Sequence, residues 1–118
     1  MAGGSALNRP SAEAVAAVDL QSLGLGTISK RANYLDLGAM LTLQTLLDFF
    51  LSSVADDHVF QEAFIKAIRH EATYNLRQVA TVAGTLISAG GRSPFTTAML
   101  AMDASIRIVS ASKRAEVE

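Results

Sequence analysis

Two runs of small residues are places where backbone, not side chains, could do chemistry: "AGGSAL" (2–7) and "ATVAGT" (80–85). Glycine reaches backbone angles closed to other residues. Successive N–H groups in such a bend can form a concave nest for an anion, typically a phosphate. The hydroxyls of Ser5, Thr81 and Thr85 would add donors at little steric cost. Either run alone is a weak signal, and a tight turn is its plainer reading. Together, flanking a compact core, they suit a diphosphate lying between them.

Other reactive side chains have plainer readings. His70 and Glu71 form an acid–base pair on paper, but both fall near the end of an amphipathic helix, where a cationic imidazole suits the helix dipole. His58 beside Asp56 and Asp57 reads as a solvated helix start, not a metal site, and adjacent aspartates on a helix do not face one another. Arg77 directly precedes the second glycine run and either supports it through carbonyls or contacts phosphate, the structural role being preferred. No catalytic side chain and no metal site is assigned.

Composition narrows the classes. With 118 residues, 50% hydrophobic and 18% charged, the chain is expected to form one small domain with a real core. The formal net charge of -1 and scattered basic residues argue against nucleic acid. The absence of cysteine removes disulfides, thiolate zinc sites and cysteine-held iron–sulfur clusters from this chain. No apolar run reaches the ~18 residues of a membrane helix, and no signal peptide is visible, so a cytoplasmic location is expected.

The elements that must position the two glycine runs follow from periodicity. "VAAVDL" (15–20) reads as a short strand. "TISKRAN" and "YLDLGA" read as a hairpin, with Leu35 and Leu37 alternating with Tyr34 and Asp36. Thr42 is the expected N-cap of a helix carrying Leu43, Leu46, Leu47, Phe50, Leu51 and Val54 on one stripe, with Phe49 beside it. A second stripe, Phe60, Ala63, Phe64, Ala67 and Ile68, follows the acidic turn at Asp56 and Asp57. Both helices are expected to pack on a common sheet. "SPFTTAMLAMDA" reads as a third helix with Ser93 as N-cap and Pro94 at its first position. Met99, Leu100 and Met102 are expected in the core, "SIRIVS" (105–110) is expected as a strand, and the tail after it as a frayed end. The order gives an α+β fold with a mainly antiparallel sheet covered by helices.

One segment carries a resemblance. "IRHEATYNLRQVATVAGTLISAGGRSPFTTAMLAMDASIRIV" resembles the flavin-binding domain of the molybdenum hydroxylases, the family of xanthine dehydrogenase and of the medium subunit of carbon monoxide dehydrogenase. That family carries an Arg-Asn-x-Ala-Thr-[Val/Ile]-Gly-Gly-Asn-[Leu/Ile] motif, then a small-residue turn and a Leu-Leu-Ala-Leu-Asp-Ala helix end. Arg77, Ala80, Thr81, Val82, Gly84, Leu86, Leu100, Ala101, Asp103 and Ala104 match it in one register. Upstream, "AGGSAL" is similar to the family's Ala-Gly-Gly-Thr-Asp-Leu loop, and 15–47 to its Val-Asp-Leu to Gly-Ala-x-x-Thr-Leu segment, so the similarity spans nearly the whole chain.

The resemblance implies the central subdomain of a flavin-binding fold of the vanillyl-alcohol-oxidase type, in a chain (1–118) lacking the family's N-terminal subdomain. It implies FAD, with its diphosphate embraced by Ala2, Gly3, Gly4, Ser5, Ala6 and Leu7 on one side and Thr81, Val82, Ala83, Gly84 and Thr85 on the other. It also implies electron transfer within a molybdopterin-dependent oxidoreductase, with molybdopterin-binding and iron–sulfur partners. Homo-oligomerisation would be a second way to cover apolar surface. The flavin, not this chain, would do the redox chemistry.

Four positions depart from the family pattern. Ala6 replaces the acid of the first loop, Ala83 the first glycine of Gly-Gly-Asn, and Thr85 its asparagine; Pro94 stands where the family has an aspartate before the third helix. These departures and the missing subdomain lead to two expectations: FAD binding by the isolated chain is weak or absent, and a truncated remnant that binds partners without flavin is the alternative function.

Overall fold

The computed structural model describes residues 4, 10, 12–14, 16–53 and 58–110. Among these the fold is α+β, as expected, with one two-stranded antiparallel sheet and five α-helices. Strands β1 (Ile28–Arg31) and β2 (Tyr34–Leu37) form the hairpin read from the alternation, in the register Ile28–Leu37, Ser29–Asp36, Lys30–Leu35 and Arg31–Tyr34. Its inward face lays Ile28, Leu35 and Leu37 against the core. Its outer face carries the exposed Arg31–Asp36 ion pair, with N···O 3.1 Å.

Beyond β2 the chain stays paired. The Gly38 amide donates to the Thr27 carbonyl at 2.8 Å and the Met40 amide to that of Leu25 at 2.9 Å. The two backbones run so close that a Cβ at Gly38 would lie 2.1 Å from the Leu25 carbonyl oxygen. Glycine is therefore required here by contact, since only its hydrogen fits.

Helix α1 (Leu43–Ser52) starts where expected, with the Thr42 hydroxyl accepting from the Thr45 amide. Such a cap is worth about 1 kcal/mol. Leu43, Leu46, Leu47 and Phe50 are buried; Leu51, placed on the same stripe by spacing, is exposed because the stripe is narrower than the sequence suggests. Val54, Asp56 and Asp57 lie outside the described residues. Helix α2 (His58–Glu71) buries Phe64, Ala67 and Ile68 and leaves Ala63 exposed. Short helices α3 (Tyr74–Arg77) and α4 (Val82–Ser88) follow, then α5 (Pro94–Ala101), which begins with Ser93 as N-cap and Pro94 first, as expected.

The helices pack on one another more than on the sheet. α2 lies against both α1 and α5, and α4 touches α5. Phe50 stacks on Phe64 at 5.4 Å between centroids, and Phe64 meets Phe95 edge-on at 6.4 Å. Phe49, beside the stripe, is half-buried and meets Phe50 edge-on. Phe95 is fully buried, so α5 is pinned to α2 by a ring whose truncation to alanine costs about 3–5 kcal/mol.

Three expectations are corrected. Residues 16–20 form no strand; they are exposed and lead into a short 3-10 turn, Gln21–Leu23, closed by Gly24 at φ 66°. Residues 105–110 form no strand either, and Ile106, Ile108 and Val109 are exposed. Alternation makes a strand only where a neighbour completes the ladder, and among the described residues the sheet holds two strands. Finally, of Met99, Leu100 and Met102 only Met99 packs on the core, because Leu100 falls on the exposed side of α5 and Met102 lies just past its end. The tail, 111–118, lies outside the described residues.

Candidate functional site

The second glycine run is built around a threonine pair. Thr42 and Thr81 form an isolated antiparallel bridge, and each is the N-cap of the helix that follows it, α1 and α4. The bridge is closed on both sides: the Leu43 amide donates to the Ala80 carbonyl at 2.9 Å, and the Val82 amide to that of Leu41 at 2.8 Å. The Ala83 amide donates to the Ala39 carbonyl at 3.2 Å.

The run is thus not an open bend but the first turn of a helix. The Gly84 amide donates to the Thr81 hydroxyl at 3.1 Å, and the Thr85 amide to the Thr81 carbonyl at 2.8 Å. Four successive amides, Val82 to Thr85, therefore all have protein acceptors. Helix N-termini bind anions because their leading amides lack partners, and in this turn those amides are already engaged. Thr81, Val82 and Thr85 are buried, Ala83 is half-buried, and Gly84 is exposed. A Cβ at Gly84 would lie 2.8 Å from the Thr81 hydroxyl oxygen. The glycine is accounted for by the cap, and the described residues of this turn, as arranged, do not fit a diphosphate.

Of the first run, Gly4 alone is described, in the left-handed region at φ 68°. Ala2, Gly3, Ser5, Ala6 and Leu7 lie outside the described residues.

Arg77 takes the supporting role, but not toward the turn that follows it. Its Nε donates to Gln44 Oε1 at 3.0 Å and its Nη1 to the Ala72 carbonyl at 2.7 Å. The guanidinium also lies over the Tyr74 ring at 5.9 Å. Arg77 thereby ties α1 to the link between α2 and α3. The Gln44 partner could not be read from sequence, being 33 residues away.

Glu71 has a role its sequence neighbourhood did not suggest. Its Oε2 accepts from the Ser93 hydroxyl at 2.7 Å and from the Phe95 amide at 2.9 Å. A carboxylate thus sits on the N-terminus of α5, where the helix dipole favours it. The Ser93 hydroxyl completes the arrangement by accepting from the Thr96 amide at 3.0 Å. His70, next to Glu71, is exposed and takes no part. Between α4 and α5, the Gly90–Gly91 turn forms an open depression of about 400 Å³ lined by Glu71, Ser88, Arg92 and Ser93.

Among the described residues no group of three metal-ligating side chains comes together, and no helix is long and apolar enough to cross a membrane. A family model described as the FAD binding domain in molybdopterin dehydrogenase matches residues 2–118. No curated protein and no solved structure matches the chain.

Proposed function

Because the chain belongs to the family of FAD binding domains in molybdopterin dehydrogenase, we propose that it serves as the flavin-domain component of a molybdopterin-dependent oxidoreductase. In this reading it transfers electrons within an assembly that includes molybdopterin-binding and iron–sulfur partners. The observation that carries the reading is the match over 2–118, which takes in both glycine runs. FAD is weakly held or absent on the isolated chain, in keeping with the engaged amides of Val82 to Thr85.

Those amides favour a second reading: a partner-binding module that carries no flavin. Two preparations separate the two. The chain is purified alone and, separately, co-expressed with candidate molybdopterin-binding and iron–sulfur subunits. The first reading expects a flavin absorption band and bound FAD in the co-expressed complex. The second expects partner subunits to co-purify in a colourless complex that also fails to take up added FAD. Neither partner binding nor flavin would sink both.

A further inference from the structure

Gly84 lies in a helix, where glycine costs about 1 kcal/mol relative to alanine. Something must favour it. Gly84 is exposed, its φ is not in the left-handed region, and the nearest atom to a Cβ built there is the Thr81 hydroxyl oxygen, at 2.8 Å. That oxygen is the cap of α4 and sits on a threonine that is 4% exposed. A buried β-branched side chain has few rotamers into which it could retreat.

We infer that the Thr81–Gly84 turn is a fastener joining α4 to residues 39–43, and that Gly84 is there for the Thr81 hydroxyl and not for a ligand. The backbone of 80–83 and that of 39–43 exchange three hydrogen bonds, through the amides of Leu43, Val82 and Ala83. A fourth, from the Gly84 amide, is spent on the cap. A phosphate at this turn would gain amides only by displacing the chain's own acceptors, the carbonyls of Leu41, Ala39 and Thr81 and the Thr81 hydroxyl. Displacing Leu41 or Ala39 would separate α4 from the segment that launches α1. If FAD binds this chain, its diphosphate is therefore held by groups other than the amides of Val82 to Thr85. This inference is independent of the flavin reading and stands or falls separately.

The test is a double-mutant cycle with Gly84→Ala, Thr81→Ala and the pair, read by urea unfolding of the full chain. A glycine kept for close approach of a ligand predicts that Gly84→Ala stabilises the ligand-free protein equally in both backgrounds. The fastener predicts no stabilisation with Thr81 present. With Thr81→Ala it predicts a roughly fivefold drop in the unfolding constant, the ordinary alanine gain. Equal gains in both backgrounds overturn the inference.

A second measurement needs no variant. Amide exchange by NMR on the unmodified chain is expected to show Val82 to Thr85 protected, whereas exchange at free-amide rates overturns the inference. The same spectra with inorganic pyrophosphate and with FAD are expected to leave those four amides unshifted. Saturable shifts there overturn it. Shifts confined to other residues agree with the inference and support flavin binding. No shifts at all also agree with it, but count against flavin on the isolated chain.

Discussion

The carboxylate of Glu71, the last residue of α2, accepts a 2.9 Å hydrogen bond from the amide of Phe95, 24 residues later. One oxygen thereby caps α5 while the Phe95 ring fills the core beneath it. Polar and apolar fastenings of α5 to α2 converge on the same residue.

Glu71→Ala removes the acceptor and leaves the Ser93 hydroxyl and the Phe95 amide without it. Hydrogen bonds to a charged group contribute about 1.5–3 kcal/mol, so destabilisation of about 2–3 kcal/mol is expected. Glu71→Gln keeps an acceptor and is expected to lose about half as much. Urea midpoints at unchanged slope provide the measurement. An alanine variant as stable as the parent would show that the bond contributes nothing.

Gly38→Ala places a methyl 2.1 Å from the Leu25 carbonyl oxygen, where the obstacle is backbone and cannot swing aside. A loss of about 3 kcal/mol or more is expected. Gly90→Ala is the control: its Cβ meets nothing within 4 Å, and its φ is not in the left-handed region, so a change within about 0.5 kcal/mol is expected. Thermal unfolding of the pair reads the difference directly.

Asp103 sits at φ 53° just past α5, with its amide donating to Leu100 and the Ala104 amide donating to Met99. This is a helix C-terminus of the type that glycine usually closes. Asp103→Gly is expected to stabilise the fold by about 1 kcal/mol through relief of the left-handed conformation. A lower melting temperature for this variant would mean that the aspartate side chain holds something the backbone argument leaves out.

The Lys66 ammonium donates to the Glu62 carboxylate at 2.7 Å one turn away on α2. That hydrogen bond, and then the attraction of the two charges, holds the Glu62 pKa below its ordinary value. A carboxyl lowered in the folded state favours folding above its unfolded pKa, and the benefit is lost as pH falls through the folded pKa. Because the pair is exposed, the window should appear in the titration of Glu62 and not in global stability. Carbon-detected NMR should find its midpoint raised by Lys66→Ala and by high salt. A midpoint indifferent to both would dismiss the pair.

Much of the fold was readable from local patterns. Period-two alternation placed the hairpin, since its pairing spans a two-residue turn. Thr42 and Ser93 were readable as N-caps because a hydroxyl before an apolar stripe satisfies amides within three residues. Thr81 is a cap of the same kind, yet a glycine three residues on is by itself a turn signal that masks the helix start. A Thr-x-x-Gly pattern ahead of "TLIS" was the available signal.

The chain's order of residues was enough to place its family, its α+β class and the starts of α1 and α5, because these depend on interactions spanning a few residues or on motifs in register. It could not say where separated groups would meet. Whether the amides of Val82 and Ala83 face a ligand or the carbonyls of Leu41 and Ala39 depends on a backbone some forty residues upstream. The same holds for Glu71 on α5 and Arg77 on Gln44. A donor's partner is set by which backbone the packing brings within 3 Å, and no local pattern encodes that distance.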